Sequence, residues 1–85
     1  MSKVILYTTP FCGFCHAAKA LLDKKNVEYQ DVNVAGQPEL RNKISKENGN
    51  YRTVPMIFIG DKFIGGFTEL AQLESSGELN KLLES

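Results

Sequence analysis

The chain of 85 residues predicts an α/β fold: one mixed four-stranded sheet with helices covering both faces, in the order β-α-β-α-β-β-α. Three observations carry that reading. Residues 3–8 are β-branched and apolar, and the apolar residues that follow, Phe14, Ala17, Ala18, Leu21 and Leu22, fall at helical spacing. Residues 27–34 then return to strand composition, so the first two strands flank a helix and pair in parallel under the right-handed crossover rule. Finally, Met56-Ile57-Phe58-Ile59 and Lys62-Phe63-Ile64, joined by Gly60-Asp61, read as an antiparallel hairpin with a two-residue turn.

Each element has its own signal. Residues 3–8 lack clear alternation, the pattern of a strand covered on both faces, and Thr9-Pro10-Phe11 breaks it. The first helix runs from Gly13 to about Lys25 and stops near Asn26, a residue that tolerates a left-handed cap. Within 27–34 the alternation slips one step at Gln30-Asp31, which predicts a bulge or an edge position. Gly36-Gln37-Pro38 turns the chain into a helix over 39–48, ended by Gly49. Only Leu40 and Ile44 recur there at helical spacing, so light packing is expected. Gly65-Gly66 allows close backbone approach, and Thr68 is placed to cap a helix carrying Leu70 and Leu73. Ser75 and Glu78 have capping-box spacing for a last turn or two with Leu79, Leu82 and Leu83. No repeat or linker interrupts the pattern, so residues 1–85 read as one domain.

Composition narrows the function. Ten Lys plus Arg balance ten Asp plus Glu, which argues against a broad basic face for nucleic acid or an anionic membrane. The longest apolar run, Val4-Ile5-Leu6-Tyr7, is far short of the ~20 residues of a membrane span. No charged-then-apolar leader opens the chain. A soluble, cytoplasmic, monomeric protein is expected.

The only cysteines are Cys12 and Cys15, in Cys12-Gly13-Phe14-Cys15. A bridge closing so short a loop stabilises by only about 2 kcal/mol, so a structural staple is a poor reading. Zinc is also poor: a closed site needs four ligands, and His16 is the only histidine. Cys-x-x-Cys-His is also a haem attachment signature, but that chemistry belongs to exported proteins, and Met56, an axial candidate, lies in a strand-like run. Thiol–disulfide chemistry fits best. Cys12 falls at or beside the N-cap of the first helix, where unpaired N–H groups and the helix dipole favour a thiolate. Cys15 lies one turn in, with Cβ atoms ~5–6 Å apart, close enough for a bridge after small torsional changes. One sulfur is expected exposed and the other buried, which separates attack from resolution. Lys19 and His16 are candidates to add positive charge there, against the plainer reading of solvated helix-surface residues.

With Tyr7-Thr8 leading into Cys12-Gly13-Phe14-Cys15-His16, then Thr53-Val54-Pro55 and Gly65-Gly66-Phe67-Thr68-Glu69, the chain resembles a glutaredoxin. The resemblance covers nearly the whole sequence and rests on separate motifs in the right order. It implies a thioredoxin-like fold and glutathione-dependent reduction of protein disulfides and glutathione mixed disulfides, glutathione being the co-substrate. Cys12 would attack through a mixed disulfide, and Cys15 or a glutathione would resolve it. By the same resemblance Val54, between Thr53 and Pro55, would pair its backbone with the glutathione cysteinyl unit, and Pro55 would be cis. Gly66, Phe67 and Thr68 would bind the γ-glutamyl end at a helix N-terminus. Phe14 would shield the thiolate, against a core-packing reading, and Glu69 would meet the ligand's ammonium group or be a solvated acid.

The departures matter too. Many dithiol members have Pro-Tyr where this chain has Gly13-Phe14, and those with a basic residue three before the first cysteine have it where this chain has Thr9. Arg52 is the candidate replacement partner for the ligand's glycine carboxylate, with Lys19 or Gln37 behind it. Gly-Phe is shared with monothiol relatives that hold a [2Fe–2S] cluster between two subunits through the first cysteine and glutathione. Here Cys15 replaces their serine, which favours resolution. The leading expectation is therefore a dithiol oxidoreductase with no metal. The alternative is an iron–sulfur carrier ligating through Cys12 and dimeric when loaded. A third reading is an electron donor to one enzyme, such as ribonucleotide reductase, recharged by a flavoprotein.

Overall fold

In the computed structural model, which describes residues 2–84, the strand-forming run after Lys3 becomes β1 (Val4–Thr8), buried and half-buried positions alternating along it. α1 (Gly13–Lys24) follows and buries Cys15, Ala18 and Leu22. It ends as expected: Asn26 takes φ 58° in the left-handed region. β2 (Gln30–Asn33) pairs in parallel with β1, Ile5 opposite Gln30 and Thr8 opposite Asn33. It lies at the sheet edge, which accounts for the slipped alternation. The strand is shorter than residues 27–34, because Val27 and Tyr29 pack against the core from the preceding loop instead.

α2 (Pro38–Glu47) buries only Ile44, matching its sparse apolar pattern. β3 (Met56–Ile59) and β4 (Lys62–Gly65) form the hairpin, with Gly60 at φ 61° in its turn. The register shifts at Ile57/Phe58: Phe58 faces Phe63 but Ile57 faces Gly65, leaving Ile64 as a bulge. The sheet order is β2-β1-β3-β4, with β3 antiparallel to both neighbours.

Two expectations at the C-terminal end are corrected. α3 (Phe67–Ser76) begins one residue before Thr68, so Thr68 is already helical and cannot cap; Gly66 is the N-cap, and Glu69 reaches back to accept its N–H at 2.7 Å. That is one half of a capping box. The "last turn or two" is a separate helix, α4 (Glu78–Glu84), making the order β-α-β-α-β-β-α-α. Gly77, at φ 83°, terminates α3, and the Glu78 N–H is met by Ser76 Oγ at 3.4 Å rather than by Ser75.

The core is one cluster. Val4 and Leu6 from β1 and Ile57 and Ile59 from β3 meet Ala18 and Leu22 of α1, Leu70 of α3, and Leu79 and Leu83 of α4. The alternate positions carry an aromatic row: Tyr7 packs edge-on to Phe58, Phe58 against Phe63, and Phe63 against Tyr51. The sheet fixes the C-terminal end of β1, from which a short turn leads to Cys12.

Candidate active site

Pro10 breaks β1 from α1, and the turn places Cys12 as the N-cap of α1 with extended backbone angles, φ −125° and ψ 109°. A cap side chain ordinarily accepts from the first turn; here the acceptor is the Cys12 sulfur, which takes the Cys15 N–H at 3.1 Å. The Cys12 thiol in turn donates to the Val54 carbonyl at 3.5 Å. Helix N-terminus and Thr53-Val54-Pro55 loop thus meet at one sulfur. The Val54–Pro55 peptide is cis, as the resemblance implied. His16 is exposed, with its ring Nε2 3.1 Å from the Pro10 carbonyl.

Cys15 differs from Cys12 in burial. It has no exposed surface, whereas Cys12 is half-buried, and both are free. Burial pushes the Cys15 thiol up to about 12, with its hydrogen bond to Cys12 acting in the same direction. The asymmetry expected from the helix position is present.

The second wall is the Gly65–Glu69 segment. Gly65 sits at φ 117°, and a Cβ on Gly66 would lie 2.6 Å from the Tyr51 hydroxyl and 3.6 Å from the Pro55 carbonyl. Glycine is required because two loops close on this point. Tyr51 donates its hydroxyl to Glu69 Oε1 at 3.0 Å, the oxygen that also accepts from Gly66. Burial raises the Tyr51 phenol. Tyr51 was missed from sequence; a lone tyrosine before a loop carries no local signal of a tie made across 18 residues. Phe14 and Phe67 stack with centroids 6.3 Å apart, and Phe14 is 64% exposed, so the core reading of Phe14 fails. Phe11 is wholly exposed.

The candidate basic residues divide. Arg52 is exposed, and its carbonyl accepts from Arg41 Nη2 at 3.2 Å; both line an open cleft of about 530 Å³ with Ser45, Asn50 and Tyr51. Arg41 was also missed, being one of several charges on a polar helix. Lys19 is engaged elsewhere, paired with Asp31 at 2.5 Å, and the Gln37 amide donates to the Asn33 carbonyl. A larger cleft, about 620 Å³, lies between Ser2, Val4, Val27, Tyr29 and Leu83 and holds none of the candidate residues.

Comparison with known proteins agrees with this geometry. Residues 4–64 match the family model described as Glutaredoxin. The chain is 41% identical over 85 residues to a glutaredoxin of Pseudomonas aeruginosa, covering all of both chains. It is 40% identical over 84 residues to glutaredoxin 3 of Escherichia coli, covering 99% of this chain and all of that one. The buckwheat glutaredoxin–glutathione complex superposes with a TM-score of 0.90 at 28% identity, covering 98% of this chain and 77% of that one. A family match over most of the chain, a thioredoxin-like sheet and a Cys-x-x-Cys pair at a helix mouth lead to one assignment: the chain belongs to the glutaredoxin family of glutathione-dependent thiol–disulfide oxidoreductases.

Proposed function

We propose that the chain reduces glutathionylated proteins and protein disulfides with Cys12 as the attacking sulfur and Cys15 as the resolving one. The observation that carries this is the sulfur pair itself, one at the helix mouth beside Val54 and one buried a turn behind. The Cys12 thiolate attacks the glutathione sulfur of a mixed disulfide; the substrate thiolate leaves and takes a proton from solvent. Two exits follow. Cys15, deprotonated, attacks the Cys12 sulfur, releases glutathione and closes the Cys12–Cys15 disulfide, which two further glutathiones reopen. Alternatively a second glutathione attacks the bound glutathione sulfur, freeing Cys12 and forming oxidised glutathione.

The glutathione in the buckwheat relative supports glutathione as co-substrate. Val54, flanked by Thr53 and Pro55, would pair with its cysteinyl unit, and the N–H groups of Phe67 and Thr68 at the α3 N-terminus would take the γ-glutamyl carboxylate. The Gly66 N–H is already held by Glu69, so Glu69 serves by fixing this loop. Phe14 stacked on Phe67 would roof the thiol, and Arg52 with Arg41 would meet the glycine carboxylate. An iron–sulfur carrier is not favoured: Cys15 stands where the cluster-holding relatives have serine, one turn behind Cys12, which favours closing a disulfide over leaving Cys12 to a shared cluster. Nothing in the site singles out ribonucleotide reductase among protein partners. A cytoplasmic monomer suits a dithiol that must be kept reduced; among the described residues no helix is long and apolar enough to cross a membrane.

The test is glutathione-coupled reduction of a glutathionylated peptide. Cys12→Ser is expected to abolish turnover, and Cys15→Ser to leave a substantial part through the second exit. Equal loss in both variants would refute the glutathione-linked route.

A further inference from the structure

Cys15 must lose a proton before it can close the disulfide, yet its sulfur is buried. One helical turn from it begins a small polar cluster contributed by three elements. Lys19 lies one helical turn beyond Cys15 on α1, the i,i+4 spacing that brings side chains together. Its ammonium pairs with Asp31 of β2 at 2.5 Å, and the side chain as a whole is only 23% exposed. Asp31 is held from its other oxygen by the hydroxyl of Thr8, itself 2% exposed at the end of β1. Thr9, next in the chain, favours the Cys15 thiolate through its backbone. A surface lysine would be free to move; this one is tied to a carboxylate that Thr8 holds from the other side.

We infer that the Thr8–Asp31–Lys19 cluster fixes an ammonium beside the buried Cys15 sulfur and thereby speeds closure of the Cys12–Cys15 disulfide. Lys19 is a positioning residue in this scheme, acting through Cys15, and the inference rests on Cys15 being the resolving thiol. The groups facing Cys15 are Cys12, Lys19 and the Thr9 backbone; those facing the ion pair are Thr8, His16, Tyr29 and Cys15. The Lys19 ammonium works against the burial that raises the Cys15 thiol. Once Cys12 is in a mixed disulfide, its thiol no longer opposes ionisation of Cys15, and Lys19 remains. Each unit by which the Cys15 pKa rises costs tenfold in thiolate and returns about threefold in nucleophilicity, so closure slows about threefold.

The experiment mixes reduced protein with oxidised glutathione, quenches in acid and follows the Cys12–glutathione adduct and the Cys12–Cys15 disulfide by mass spectrometry from pH 6.5 to 9. Lys19→Gln is expected to slow conversion of adduct to disulfide about threefold per pKa unit gained, and to move its pH profile upward. Lys19→Arg should restore it. A double-mutant cycle with Cys15→Ser, whose adduct is cleared by added glutathione, should show the two positions coupled. Unchanged conversion in Lys19→Gln, or the same slowing in the Cys15→Ser background, overturns the inference alone. If the unaltered protein forms no Cys12–Cys15 disulfide, the dithiol reading falls and this inference with it.

Discussion

Cys12 and Cys15 are three positions apart, but the first caps a helix at the surface and the second has no exposed area. That difference has a measurable consequence for stability. The folded Cys15 pKa of about 12 lies above the ordinary thiol value near 8.5. The folded state therefore keeps a proton that the unfolded chain sheds. This contribution is intact below about pH 8.5 and is lost progressively as pH rises toward 12. Lys19, Tyr29 and Tyr51 are raised too and act in the same direction at higher pH. Urea unfolding at pH 7.5, 8.5 and 9.5 should show about 1 kcal/mol lost over the range, with Cys15→Ser flattening the decline; an equal slope in both would refute it. Sequence reached this asymmetry because a Cys-x-x-Cys pair at a helix boundary implies it locally. It did not reach Asp31 and Thr8, because the contacts that join them to Lys19 cross between elements. The expected solvated role for Lys19 fails for that reason.

Among the elements, α1, β1 and the hairpin were legible because each carries its own periodicity and its own punctuation: Pro10 before α1, Asn26 after it, Gly60 in the turn. α4 was legible only as a last turn or two carrying Leu79, Leu82 and Leu83; that it is a separate helix, started after the left-handed Gly77 and packed through Leu79 and Leu83, depends on the core it meets. The α3 cap was misread because Thr68 has the better side chain but the wrong position; the chain enters the helix at Gly66, where a side chain would strike Tyr51. Gly66→Ala should therefore displace Tyr51 and loosen the loop proposed to take the γ-glutamyl group. The expected result is a several-fold rise in KM for glutathione with a smaller change in kcat, measured by steady-state kinetics. An unchanged KM would remove that loop from the binding site. Since Tyr51 also anchors the Phe63 ring, its loss would disturb the hairpin as well.

At the scale of the molecule, 85 residues imply a stability of order 4–13 kcal/mol, and much of it must come from the single cluster between sheet and helices. Leu22 is fully buried where α1 meets that cluster. Leu22→Ala is expected to cost about 2–5 kcal/mol, read from the shift in denaturant midpoint, a large share of the total. A loss below ~1 kcal/mol would mean that the cluster does not act as one core. Zero formal charge supplies no long-range steering from net charge, which puts the weight of recognition on local groups around Cys12. The strand order has a further effect. Both outer strands, β2 and β4, are four residues long; one exposes Gln30, Asp31 and Asn33, and the other is broken in register opposite Ile57/Phe58. Short, charged or irregular borders make poor templates for additional strands. The sheet therefore offers a loose neighbouring chain little free edge to pair with, and the molecule is guarded against edge-to-edge aggregation by the same two strands that bound its fold.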